Sequence, residues 1–157
     1  MSGQPRSRSH DGWETGDVGG DWVAHRTEAA RVQAERLRAR QDAVHAQAEG
    51  LLAEFLPVVA AHGPQPEPLR VRGYGGRGEA RTPLKGWYLR FDRTAALATD
   101  GRFYMLIAPL SALDRLRGVR PAPARPPMVL GEGGKDGESV ELPIALERVL
   151  PGWRDLA

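Results

Sequence analysis

Cysteine is absent from all 157 residues, which removes disulfides, zinc–thiolate clusters and thiol nucleophiles, and nothing in the chain calls for an oxidising compartment. No run approaches about 18 consecutive apolar residues, and the first residues, Met1–Gly20, lack the apolar stretch of a secretion signal. The sequence therefore predicts a soluble, cytoplasmic protein without a membrane partner. Histidine is scarce: His10, His25, His45 and His62 are the four, and no two of them lie three or four residues apart. No metal site and no cofactor are expected. The C-terminal half has neither His nor Cys, so acid–base or nucleophilic chemistry there would fall to Asp, Glu, Lys, Ser, Thr or Tyr, and no catalytic set stands out. Aromatics make up only 6% of the chain, against 19 Gly and 13 Pro. The core must be modest, and one core is expected.

The chain does have charge, and it is unevenly placed. Residues 1–68 carry 7 Lys/Arg and 10 Asp/Glu, 7 − 10 = −3; residues 69–120 carry 11 and 4, 11 − 4 = +7; residues 121–157 carry 4 and 6, 4 − 6 = −2. A basic middle between acidic flanks is either an anion-binding surface or a face neutralised by the acidic helix.

Three regions follow from the pattern: a disordered tail over 1–20, a long helix over 21–62 and a small α+β domain over 69–157. The tail, rich in Gly, Ser, Asp and Arg, buries too little to offset its ordering entropy. Its Trp13, with Trp22 just beyond, suggests docking on a partner or on the chain itself. Ala, Glu, Arg, Gln and Leu dominate from Asp21, a possible cap, to His62, where Gly63-Pro64 ends the helix. Val23, Ala30, Leu37, Val44, Leu51 and Val58 recur every seven residues, with Ala34, Ala48 and Phe55 four after members of that set. The stripe is Ala-rich early and large late, so the C-terminal half should pack on the domain while the N-terminal half projects. Arg26, Gln33, Arg40 and Gln47 occupy the other seam, which favours docking on the chain's own sheet over a coiled coil. Pro57 should kink or restart the helix.

After an extended linker at residues 63–68, Leu69–Tyr74, Trp87–Phe91, Ala95–Thr99 and Arg102–Ala108 read as strands. Asp100-Gly101 marks a tight hairpin. Ser111 with Asp114 forms a capping box for a short helix, Ala112–Arg117, closed by Gly118. Val119–Pro127 is a polyproline-like connector. Met128–Leu130 and Ser139–Leu142 form a second hairpin around a turn at Gly131–Gly137, and a last helix spans Pro143–Leu150. The fold class is α+β: a long N-terminal helix packed in part on a small, mostly antiparallel sheet, with two short C-terminal helices.

Gly73-Tyr74-Gly75-Gly76-Arg77-Gly78 matches G-x-G-x-x-G, but a dinucleotide site needs a helix directly after the glycines. Glu79–Lys85 is short, contains Pro83 and leads into a strand. A flexible glycine loop with Arg77 and Arg81 remains, able to hold a phosphate through backbone N–H groups and guanidinium charge. Around it, Arg70, Arg72, Lys85 and Arg90 interleave with aromatics such as Tyr88, the composition of a stacking-and-charge surface. Alternation predicts Trp87, Leu89 and Phe91 inside, Tyr88 and Arg90 outside.

The leading expectation is a non-catalytic binding or adaptor protein that recognises another protein through Trp13, Trp22, Leu37 and Val44. The alternative is nucleic-acid or phosphate binding through Arg70, Arg72, Arg77, Arg81, Lys85, Tyr88 and Arg90. A third is a small enzyme acting on an anionic substrate near Arg77, Arg81 and Lys85.

Overall fold

A computed structural model of the chain describes residue 3 and residues 18–131 and 139–157. Trp13 and most of the expected tail lie outside the described residues, as does the turn at Gly131–Gly137 apart from Gly131. The chain is α+β, with a long helix, a five-stranded and mostly antiparallel sheet, and short C-terminal helices. It divides into two compact units, the first ending at Arg40 and the second running from Gln41 to Ala157.

Helix α1 spans Val18–His62 and so begins a turn before Asp21. In the first unit every described residue from 19 to 40 is exposed except the half-buried Val32. In the second unit the same helix becomes a packing element: Ala48, Leu52, Phe55 and Val59 recur at helical spacing and are buried. The expected restart at Pro57 does not occur. Pro57 lies on the exposed face, where the carbonyl deprived of its donor can turn to water. Gly63 ends the helix by donating its amide to Val59 O at 2.9 Å.

Strands β1 (Glu67–Gly73), β2 (Glu79–Tyr88), β3 (Ala95–Ala98), β4 (Phe103–Met105) and β5 (Ile107–Ala108) are ordered β4-β3-β2-β1-β5, with only the β1–β5 pair parallel. One residue, Leu106, separates β4 from β5, although they occupy opposite ends of that order. Consecutive Cα atoms are about 3.8 Å apart, so the two edges must meet and the sheet curls closed. The curl has an inner cluster of Leu69, Val71, Ala96, Ala98, Tyr104 and Leu106. Its outer face, with Trp87, Leu89, Leu97 and Phe103, packs against the Phe55 side of α1 and against Leu142 and Leu146 of α3 (Leu142–Val149). Trp153 closes this core with its ring edge-on to Phe55, centroids 5.2 Å apart.

Several boundaries differ from expectation. Glu79–Lys85 is strand rather than loop: Glu79, Ala80 and Arg81 pair with Arg72, Val71 and Arg70. Pro83 is tolerated because the register breaks there; Thr82 Oγ1 bonds Leu69 O at 2.7 Å inside the irregularity. Glu67 and Pro68, assigned to the linker, belong to β1. Phe91 is not core but 76% exposed. Strand β2 stops at Tyr88, and a turn with Arg93 at φ 62° and Arg93 N bonded to Arg90 O redirects the chain, which puts Phe91 outside. The same turn reverses Arg90, whose side chain is only 9% exposed and pairs with Asp92 at 3.0 Å.

The Asp100-Gly101 hairpin forms between β3 and β4, with Gly101 at φ 85° and its amide bonded to Ala98 O. Asp100 Oδ1 accepts from Arg102 N, and Oδ2 accepts from Tyr104 O–H at 2.7 Å. Burial first, then the bond to Asp100 and its charge, raise the Tyr104 phenol above the ordinary tyrosine range. A raised folded value gives stability that is complete below the unfolded tyrosine value, about 10, and lost as pH rises through the folded value. Denaturation curves between about pH 9 and 11 should therefore show an alkaline loss that Tyr104→Phe reduces. Helix α2 (Ala112–Arg117) has the full Ser111–Asp114 capping box, and β6 (Val129–Leu130) pairs with β7 (Val140–Glu141) as the second hairpin.

Candidate functional site

Among the described residues no helix is long and apolar enough to cross a membrane, and no group of three or more His, Asp or Glu is placed to hold a metal ion.

The first candidate surface lies on α1 within residues 18–40. Trp22 is 63% exposed and stacks under Arg26, whose guanidinium carbon lies 5.1 Å from the ring centroid. Leu37 is 55% exposed. At helical spacing Val23, Thr27, Ala30, Ala34 and Leu37 fall on one face, a seam of alternating three- and four-residue steps. Arginines stand beside the seam: Arg26 and Arg40 on one flank, with Gln33 between them, and Arg31 and Arg38 on the other. Asp21, Glu28 and Glu35 all fall behind them, seven residues apart; from there Glu28 reaches Arg31 at 2.8 Å. Val44, in the second unit, is 43% exposed. Trp13 lies outside the described residues.

The basic residues of the second unit do not form one uniform sheet face. In β1, Arg70 and Arg72 alternate with buried Leu69 and Val71, as expected, and point away from the inner cluster. Glu79 stands across from them, 3.8 Å from Arg70 and 4.0 Å from Arg72, and Arg72 also donates to Asp92 O at 2.8 Å. Tyr88 is half-buried; its hydroxyl accepts from Arg70 N at 2.9 Å, and Arg93 covers its ring. Arg90 is withdrawn, and among the described residues its Nε has no hydrogen-bond partner. Lys85 is exposed.

The glycine loop is a tight turn running straight into β2. Gly75, Gly76 and Gly78 have φ of 63°, 73° and 82°, a conformation that side chains rarely adopt. Three of its amides are used internally: Gly73 N bonds Gly78 O, Arg77 N bonds Tyr74 O and Gly78 N bonds Gly76 O. Half of the six backbone donors in this stretch are thus engaged within the turn, and the exposed Arg77 side chain stands beside Tyr74 and Pro109.

Arg81 stands elsewhere, in an open cleft of about 540 Å³ that it shares with Arg117 and Arg120. Those two arginines were not singled out by sequence. Their only signal was that they flank Gly118, which read as a helix stop rather than as a contact with β2. A further strap joins the connector to α1 within the second unit. Arg125 pairs with Asp42 and Glu49, both at 2.9 Å, and His45 Nδ1 bonds Pro126 O at 2.8 Å. The bond to Glu49, with its charge and that of Asp42, holds the Arg125 guanidinium above its ordinary range. These exposed pairs fix the connector with at most a modest gain, since solvent screens them.

No family model, curated protein or solved structure matches this chain.

Proposed function

We propose that the protein is a non-catalytic binding protein that docks a helix of another protein along the seam of residues 23–37. The observation that carries this reading is a helical segment with no buried residue from 19 to 40 and with apolar Val23 and Leu37 in the open. Most helices in proteins are stabilised by packing of one face rather than by propensity. This segment has the face without the packing.

The flanking charges select the occupant. In a parallel pair of two copies Arg26 would meet Arg31 of the second copy, and Gln33 would meet Arg38; in an antiparallel pair arginine-bearing flanks again face each other. Both arrangements place like charges together. A partner helix with Glu or Asp beside its own apolar seam meets the arginines favourably and gains specificity from them.

The test uses the full chain and two labelled heptad peptides with identical apolar seams, one flanked by Glu and one by Lys. Anisotropy titration should show salt-sensitive binding of the Glu peptide only, and Leu37→Asp should weaken it about tenfold or more, the effect of putting a charge into an apolar seam. Equal binding of both peptides, or no effect of Leu37→Asp, contradicts the proposal.

A further inference from the structure

The second unit carries a cleft that helix docking does not use. Arg81 in β2, Arg117 at the end of α2 and Arg120 just beyond it line this opening, with Thr82, Pro83 and Val119 between them. Backbone contacts build it. Val119 N donates to Arg81 O at 2.8 Å, and Gly118, at φ 86°, lies so close that a Cβ there would stand 2.8 Å from the same oxygen. The exit of α2 is thereby fastened to β2, with Arg117 and Arg120 on either side of the fastening. Arg81 Nη2 donates to Leu116 O at 3.1 Å, which holds its guanidinium toward the α2 end.

Among the described residues no carboxylate lines the cleft. The acidic groups nearest in sequence are committed: Glu79 lies beside Arg70 and Arg72, and Asp114 closes the capping box with Ser111. Among the described residues, Arg117 and Arg120 have no ion pair and no side-chain hydrogen bond. Three guanidinium groups without a counter-charge repel one another, and an anion shared between them removes that cost. Planar guanidinium forks suit tetrahedral oxyanions, to which they bond in a bidentate manner. Among the described residues no aromatic ring lines the cleft to stack on a nucleobase.

We propose that this cleft binds a phosphate group, free or as a monoester, through Arg81, Arg117 and Arg120. A monoester carries about −1.5 to −2 charge at neutral pH, enough to balance two of the three arginines. Specificity rests on charge and oxygen geometry, and the open mouth leaves the esterified group in solvent.

The experiment is calorimetric titration of the full chain with phenyl phosphate and, separately, with inorganic phosphate at low ionic strength. Two variants run beside it: Arg117→Gln with Arg120→Gln, and Arg36→Gln with Arg154→Gln, which removes the same charge away from the cleft. All four positions are exposed, and circular dichroism checks that each variant is folded. The expected result is saturable binding at one site, weakened about tenfold or more by the cleft variant, in line with the loss of two charge-assisted hydrogen bonds, and unchanged in the control variant. Equal affinity for both probes assigns the cleft to the bare anion, and tighter phenyl phosphate assigns it to an ester. Absence of saturation, or equal weakening in both variants, overturns the proposal. So does single-stranded DNA that binds more tightly than either probe and still binds the cleft variant.

Discussion

Phe55→Ala is expected to destabilise the second unit by about 3–5 kcal/mol, the usual range for removing a large aromatic from a packed core. Phe55 is fully buried on α1, meets Trp153 edge-on and joins the cluster that holds α1, α3 and the outer face of the sheet together. Its loss removes apolar burial and an aromatic pair, and it leaves a cavity between elements far apart in sequence. Because domains this size have only about 5–15 kcal/mol of net stability, the change takes a large share of it. Urea denaturation followed by tryptophan fluorescence measures it. Phe55→Leu, which keeps most of the volume, should recover much of the loss, whereas equal losses for the two variants would mean that the ring does not pack as described.

Gly86→Ala should also be strongly destabilising despite adding a single methyl group. Gly86 pairs with Ala98 across β2 and β3, and a Cβ at that position would stand 2.1 Å from Leu97 O and 2.7 Å from Ala98 Cα. Neither atom is the end of a flexible side chain, so β2 and β3 themselves must separate. Overpacking of this kind costs about 1–3 kcal/mol or more. Gly86 has no positive φ, so the cost comes from strand contact rather than from backbone strain. The control is Gly50→Ala: nothing lies near the Cβ there, and the position is in an exposed part of α1, so the change should stabilise slightly through helix propensity.

Local signals in the sequence were readable because their causes are local. The Asp100-Gly101 turn, the Ser111–Asp114 box and the run from Leu51 to Val59 each depend on residues within a few positions, and each formed as expected. Three features depended on distant pairing and were misread or missed. Pro83 marked Glu79–Lys85 as loop, since nothing local shows that β1 can accommodate it through a break in register. Phe91 continued an inward alternation that a turn at Arg90–Arg93 cancels. Closure of the sheet through Leu106 had no local signal at all, because it comes from pairing β4 with β3 and β5 with β1.

The same distinction governs the sites. The apolar spacing of this segment was visible in the heptad pattern and its arginines were visible as charges, but the exposure of residues 19–40, which supports reading them as a docking surface, was not. The seven residues read as one basic face are spread over different settings: Arg70 and Arg72 beside Glu79, Arg77 at the glycine turn, Arg81 in the arginine cleft, Arg90 against Asp92. Arg117 and Arg120 reach Arg81 through a backbone bond between residues 119 and 81, a contact that composition does not encode.

The most direct measurement is hydrogen–deuterium exchange on the full chain, resolved along α1, with and without the Glu-flanked peptide. Alone, amides 22–40 should exchange faster than amides 48–60, since a helix without a packed face opens locally at little cost. Peptide should slow exchange within 22–40 and leave residues 69–120 unchanged. Protection confined to residues 69–120, or residues 22–40 as slow as 48–60 before any peptide is added, would contradict a helix that waits for a partner.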